Sequence, residues 1–557
     1  MKWLEDFIFN INASASKRLM VILGTFGLLG LTIMMFPTEM VLARMLPGKS
    51  TNTYSIYVDA PSGSSVHETK KITECITRIL QKEEAVTDIE LYLGQGSPLD
   101  YAGLVKGSTL KQGEHVAEIV VNLTDKHSRD EASFSMVKRL RPQIQSSCQM
   151  IKTGTSIKMI EQPAGPPTMA QIVVEIYGKD ENSIRKMAGE VSYILRSTEG
   201  LVDVDIIQDE KYKKYELIAD PEKISRSGVS LDQLNKIMYL AFEGMEIAVK
   251  NSQNSPDQIP IFLVLSDETK LMGEFSKTAL EAKLSALRLM NQRGMMVPVN
   301  ELVDVIEVDN YPTIFSKNLK KMLNVIAETD MVSQLYPLLD ARATMIERFG
   351  EKYEIQNAPM ASTNMFDLFL KDKNTGEEFV LRWDGEMKVS LDTFRDLGGA
   401  FISALILIFL LLVIYYKSFA ISGIILGGSF LSIIGVLIGH WVANFFTSET
   451  FFLTATSLIG FIALMGISSR NSLLLIDFTK SLMDEKGMAK DRAIAIATAT
   501  RATPIILTAV AIILGSALLA TDPIFGGLGV ALISGTVAAV AVSLIFVPVL
   551  MYKTKAI

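Results

Sequence analysis

The chain has 557 residues, of which 49% are hydrophobic and 21% charged, with a formal net charge of −7. Apolar residues gathered into a few long blocks mark a membrane protein, and the mild negative charge argues against nucleic acid as a partner. The two cysteines, Cys75 and Cys148, are too few for a disulfide scaffold and lack metal-ligand spacing; the sequence leaves open whether they form a single bridge, which needs an exported region, or stay two unpaired thiols. His67, His115 and His127 are scattered, so no metal cluster is expected.

Residues 1–18 precede the first apolar stretch, Leu19–Phe36. That stretch has no small-residue cleavage site behind it and runs into Pro37, so it reads as a retained membrane span rather than a signal peptide. The polar region that follows alternates strand and helix patterns. Strands are expected at Tyr54–Asp59, Val86–Gly94, His115–Asn122 and Ser156–Glu161, with helices at Val66–Glu83 and Ser128–Ile144. That order is β-α-β-β-α-β, the ferredoxin-like split unit. A second unit begins at Ala170 with strand Gln171–Gly178, helix Asn182–Arg196, and strands Leu201–Gln208 and Tyr215–Asp220. An insert carries helix Ser230–Phe242 and extended segments Glu246–Lys250 and Ile259–Leu265. The strand pattern returns at Met295–Asn310 and Thr313–Thr329, followed by helix Met331–Phe349. A single compact α+β domain is the alternative. Acidic residues here are expected on solvated faces. No phosphate-cradling glycine loop, His-Glu-x-x-His or nucleophile elbow occurs, so neither an enzyme nor nucleotide hydrolysis is expected.

Five further apolar stretches follow: Gly398–Tyr416, Phe419–Val442, Phe451–Phe478, Pro504–Ala520 and Phe525–Tyr552. Lys2, Lys17 and Arg18 precede the first span. Lys417, then Lys480, Lys486, Lys490, Arg492 and Arg501, and finally Lys553 and Lys555 fall in alternate connections. The opposite loops, Asn444–Thr450 and Thr521–Ile524, have no Lys or Arg, so both termini are expected in the cytoplasm and residues 37–396 outside it. Gly423, Gly427, Gly435 and Gly439 in the third span are spaced by four or a multiple of it, as are Gly527, Ala531 and Gly535 in the last. This is the pattern of close helix packing rather than of a substrate site. Pro504 is expected to open the fifth span.

The fourth span carries Arg470, Asn471 and Asp477. A charge at mid-membrane depth costs about 2.5–3.5 kcal/mol on insertion scales, and by default marks an ion path. Arg470 and Asp477, seven residues apart, are expected on one helix face. A lipid-facing, snorkelling arginine is the alternative.

Several motifs in order resemble one family: Met45-Leu46-Pro47, the segment Tyr212–Gly244, Met296-Val297-Pro298-Val299, Arg382-Trp383-Asp384-Gly385, GISSRNSLLLIDF in the fourth span, Arg501 to Thr508, and Phe546-Val547-Pro548-Val549. The chain resembles the C-terminal half of a resistance–nodulation–division (RND) efflux permease of the hydrophobe/amphiphile, acriflavin-resistance-like branch. The resemblance implies a membrane α-helical bundle of one plus five spans with a large periplasmic α+β domain of ferredoxin-like units. Residues 37–166 would be a first porter subdomain, 167–211 with 310–396 a second, and 212–309 a docking insert. Residues 397–552 would be a five-helix membrane domain with a cytoplasmic segment near 479–501, and 553–557 a cytoplasmic tail. It also implies an inner-membrane location, proton drive without a cofactor, and a trimer working with a periplasmic adaptor and an outer-membrane channel.

By resemblance, Arg470 stands where the family has a relay lysine, Thr508 matches a relay threonine, Arg501 an arginine at that helix's cytoplasmic end, and Asp477 a common glutamate. Thr508 is also a membrane threonine that can simply bond its own backbone. Guanidinium, unlike a buried lysine amine, keeps its proton. Arg470 is therefore expected to act as a fixed counter-charge to a titrating carboxylate. The family's proton-binding aspartate pair belongs to the other half. Here the acidic residues near spans are Asp477, Glu449 and Asp522, so a second chain supplying six helices and those aspartates is expected. Alternatives are copper or silver export, given 27 methionines, a protein-secretion accessory subunit, or a non-transporting remnant.

Overall fold

The computed structural model describes the chain apart from Met1, 99–100, 109–110, 162–164, 166–167, 252, 254–255, 257, 267–268, 270–275, 331–332, 359–364, 448–449 and Ile557. Glu449 and the start of the helix expected from residue 331 thus lie outside the described residues. Helix α1 (Lys2–Ala13), which the sequence reading passes over, precedes α2 (Ala15–Ile33) and buries Leu4, Ile8 and Ile11.

The first sheet is built from β1 (Thr53–Asp59), β2 (Val86–Gln95), β3 (Gln112–Leu123) and β4 (Ser156–Glu161) in the order β2-β3-β1-β4, every neighbouring pair antiparallel. Helix α3 (Val66–Leu80) crosses from β1 to β2, the short α4 (Tyr101–Lys106) lies before β3, and α5 (Ser133–Cys148) returns to β4. A capping box between Ser65 and Glu68 starts α3, and Ile72 and Ile76 bury one face of it against the sheet. Cys75 and Cys148, left open by the sequence, form a disulfide between α3 and α5, with Cα atoms 5.8 Å apart. Closing a loop of 73 residues contributes on the order of 4 kcal/mol in the chain-entropy account.

The second sheet holds β5 (Ile172–Tyr177) and, after α6 (Glu181–Ser197), β6 (Leu201–Ile207). The chain then leaves for a separate compact unit, Asp209–Thr313. That unit contains β7 (Lys213–Ala219), α7 (Pro221–Ser227), α8 (Leu231–Phe242), β8 (Met245–Lys250), β9 (Ile259–Leu263), α9 (Lys277–Ala286), β10 (Arg288–Met290), β11 (Met296–Pro298) and β12 (Val303–Asp309). The extended run expected at Met295–Asn310 is therefore two strands, parted by a single turn at Val299–Glu301. On return, β13 (Ser316–Lys317) and β14 (Lys320–Thr329) lead into α10 (Leu335–Gly350), then β15 (Tyr353–Asn357), β16 (Leu368–Asp372) and β17 (Glu378–Asp384). Strand β14 lies between β5 and β6, and β17 pairs the other side of β5. Its core gathers Val174, Ile176, Val191, Val325, Leu338, Met345 and Leu381.

The two sheets meet through charge. The Asp203 carboxylate accepts from Arg141 Nε (3.2 Å), Gln145 Nε2 (2.8 Å) and the Met159 amide (3.1 Å), and Lys158 bridges Asp59 (2.7 Å) and Asp205. The expectation that acidic residues are solvated fails here: Asp203 has no exposed side-chain surface. Burial alone would discourage ionisation of Asp59, but Lys158 and Lys111 outweigh it and hold that carboxyl well below its ordinary range.

Among the described residues, six helices are long and apolar enough to cross a membrane. They are α2; α11 (Glu386–Tyr416); α12 (Phe419–Phe430) continued by α13 (Ile433–Ala443); α14 (Ala455–Lys486); α15 (Lys490–Ala520); and α16 (Gly526–Ala541), continued by a π-turn into α17 (Val547–Lys553). One expectation is corrected: Pro504 lies inside α15 rather than at its start. The segment near 479–501 is mostly helix, with only Gly487–Ala489 between α14 and α15, because Gly487 adopts the left-handed conformation (φ 59°) that ends α14.

Candidate functional site in the membrane helices

Helix α14 starts at a Thr454–Ser457 capping box and presents two unlike faces. Phe461, Leu464, Ser468, Asn471, Ser472 and Leu475 are buried among the other helices. Ile459, Ala463, Gly466, Arg470 and Leu474 form an exposed stripe at spacings of three and four, with half-buried Asp477 continuing it. The stripe brings Arg470 and Asp477 to one side, while Asn471 points into the bundle.

Arg470 has no hydrogen bond, ion pair or aromatic partner among the described residues. Asp477 accepts a 2.7 Å hydrogen bond from the Tyr416 phenol at the end of α11, and Lys480 stands 5.1 Å from the centre of that ring. Arg501 lies 4.6 Å over the Phe478 ring, and its buried Nε has no partner among the described residues. Thr508 donates to the Pro504 carbonyl one turn back at 2.8 Å, so its hydroxyl serves its own helix. No bond or ion pair joins any two of Arg470, Asn471, Asp477, Arg501 and Thr508 among the described residues. Tyr416 was missed by sequence reasoning, since nothing in α11 alone says that its last turn meets Asp477.

The small-residue pattern divides. A Cβ on Gly435 would strike the Ser534 carbonyl, one on Gly439 the Ser534 side chain, one on Gly527 the Thr454 and Ser457 hydroxyls, and one on Gly535 Leu464. Ala531 is wholly buried. These positions let α13 and α14 approach α16 closely. Gly423 and Gly427 have open space instead, and Gly428 takes the packed position, where a Cβ would come within 2.8 Å of the Val547 side chain. The four-residue ladder does not run through because the helix breaks at Leu431–Ser432, where the Ser429 and Ser432 side chains bond the Ile425 and Ser429 carbonyls.

The sequence reading also overlooked His440, a histidine inside an apolar span. It is wholly buried, with Nε2 2.8 Å from Ser457 Oγ. An ionisable side chain in such a run is itself the signal that would have found it.

Six helices long and apolar enough to cross a membrane, one of them carrying an exposed cation, together with two sheets, are the features of a polytopic membrane protein. A model of the AcrB/AcrD/AcrF family matches residues 8–356 and 361–555, and the chain belongs to this family of RND permeases. The swarming motility protein SwrC of Bacillus subtilis (strain 168) is 23% identical over 529 residues, 92% of this chain and 44% of that protein. The multidrug export protein AcrF of Escherichia coli (strain K12) is 30% identical over 149 residues, 26% of this chain and 14% of that one. The cobalt-zinc-cadmium resistance protein CzcA of Cupriavidus metallidurans is 22% identical over 396 residues, 68% of this chain and 33% of that one. The crystal structure of a heavy metal efflux pump superposes with a TM-score of 0.69 at 16% identity, covering 99% of this chain and 52% of that one. The chain thus spans about half that pump and less than half of these curated relatives.

Proposed function

We propose that this chain is the C-terminal half of a proton-driven efflux permease for amphiphilic compounds, and that it works only with a second six-helix half. The observation that carries the reading is the exposed α14 stripe with Arg470 at its centre. A permanent guanidinium at that depth needs an anion, and none is offered by the described residues; a carboxylate pair on a facing helix would supply it. The coverage of 52% of a solved pump supports the same division. In this reading both sheets are ferredoxin-like porter units outside the cytoplasm, Asp209–Thr313 is the docking unit, and both termini are cytoplasmic. The assembly is a trimer that meets an adaptor and an outer-membrane channel. Proton arrival on the partner carboxylate releases Arg470, and α14 shifts.

The test is dye export from vesicles holding both halves under an imposed pH gradient. Arg470→Ala should abolish export while the chain stays in the membrane at normal amount. Full export by that variant, or export by this chain alone, overturns the reading.

A second reading, export of soft metal ions, has one structural support. Met290 pairs with Met296 across β10 and β11, and both are exposed together with Met295. Thioethers suit cuprous or silver ions. Silver transport by the same vesicles, lost on replacing these three methionines, would favour it over dye export.

A further inference from the structure

His440 on α13 has one partner at each ring nitrogen. Nδ1 is 2.8 Å from the Val436 carbonyl one turn back, and Nε2 is 2.8 Å from Ser457 Oγ at the start of α14. A carbonyl only accepts, so Nδ1 carries the proton and Nε2 is a bare acceptor for the Ser457 hydroxyl. From Ser457 the contacts continue outward. Its Oγ is 3.0 Å from Thr454 Oγ1, which is 2.7 Å from Thr456 Oγ1, which is 3.3 Å from the carbonyl of Ile524 in the turn between α15 and α16. Three hydroxyls thus connect a buried imidazole to the end of the bundle.

The surroundings hold little else that titrates: Arg44, in the segment whose Val41 packs on α13, places its guanidinium 5.8 Å over the Phe452 ring. Helices α2 and α16 pack against α13. Neither α16, nor α2 beyond Arg18, nor α14 ahead of Arg470 carries a titratable side chain. Asp522 in the adjoining turn is engaged by the Ile524 and Phe525 amides, and Glu449 lies outside the described residues. The Phe451 ring, 5.5 Å from the imidazole, can face a cation.

We propose that His440 is a second proton-handling group of the transporter, loaded at Nε2 through the hydroxyls of Thr456, Thr454 and Ser457. A proton arriving at Thr456 Oγ1 lets that hydroxyl pass its own to Thr454. Thr454 passes one to Ser457, and Ser457 one to Nε2. One N–H bond forms, and each hydroxyl ends with one hydrogen as it began. The imidazolium can no longer accept from Ser457. The Ser457 hydroxyl must then turn to Thr454, the residue that caps α14. Charge at His440 is in this way felt at the start of the helix that bears Arg470.

The inference rests on the proton-driven reading above, and the test separates the two. His440→Gln offers one N–H and one carbonyl oxygen, replacing the hydrogen bonds without binding a proton. In vesicles holding both halves, it should keep normal folded yield yet lose the acid limb of the export-versus-pH profile. Thr456→Val, which cuts the string, should slow that limb without removing it. Nitrogen-15 NMR of the chain with His67, His115 and His127 replaced by Gln should show Nε2 gaining a proton on acidification between about pH 8 and 4. A His440→Gln profile identical to wild type, or an imidazole that stays neutral over that range, overturns the proposal. Should wild type itself show no pH-driven export, the proton-driven reading fails, and the NMR titration alone decides whether His440 takes a proton.

Discussion

Asp203 shows how much a single side chain can decide. It sits in β6 with a left-handed backbone (φ 53°), at the point where the β6–β14 register breaks between Ile326 and Glu328. A non-glycine residue holds that conformation only where its surroundings over-determine it, and three donors do so here, two side chains of helix α5 and one amide of strand β4. From sequence, Asp203 is one acid among 61 acidic residues, and nothing local says which sheet edge it will face. Glu161, at the end of β4, gives a measurable consequence of the same kind of burial. Burial pushes its carboxyl up to about 7, against the pull of Arg141 and Arg44. The unfolded chain, with the ordinary value of 4.5, ionises first. Stability linked to Glu161 is therefore complete below about pH 4.5, falls as pH rises, and is lost once pH has passed about 7. Glu161→Gln should flatten that fall, matching wild type in melting temperature at pH 4 and exceeding it at pH 8. Parallel curves for the two proteins across this range would contradict the assignment.

Helices were more legible than their faces. The apolar blocks marked the six long helices to within a few residues at most ends, because twenty or so consecutive apolar residues have few alternatives. Face assignment needs unbroken register, and the α12–α13 break at Leu431–Ser432 removes it. The glycines therefore make a sharp test. Gly435→Ala would push the α13 backbone off Ser534 and should cost about 1–3 kcal/mol, the usual penalty of overpacking. Gly427→Ala meets open space and should be neutral or slightly stabilising, since alanine favours helix. Equal losses of thermal stability in detergent would mean that the spacing pattern, not the observed contact, is the better guide. The ionisable residues of α14 show the same division. The sequence located Arg470 and Asp477 by their cost in an apolar run, but could not supply Tyr416, which comes from α11 and is brought to Asp477 only by the packing of two 31- and 32-residue helices.

At the scale of the molecule, the strand and helix patterns pointed to an insert but assigned Tyr215–Asp220 to the unit before it, whereas β7 belongs to the separate unit Asp209–Thr313, whose neck shows the physical reason. Strands β7 and β12 pair antiparallel from Lys213 with Asp309 to Ala219 with Val303, so the chain enters and leaves the unit side by side. Thr313 also donates its amide to Asp209, and Asn310 its amide to the Tyr212 carbonyl. The unit has its own core, including Ile224, Leu234, Leu284, Val299 and Val305. A segment with its own core and adjoining ends has what independent folding needs. Residues 209–313 expressed alone should give a cooperative thermal transition and dispersed amide NMR signals. Replacing them in the full chain by a short Gly-Ser linker should leave the Cys75–Cys148 bridge formed and the chain in the membrane. Export should nevertheless be lost if this unit makes the contacts proposed for it with an outer channel. A short linker makes the β6–β14 pairing more local and its loop cheaper to close, so collapse of the remaining chain on excision would show instead that the paired neck strands of the insert hold β6 and β14 in place.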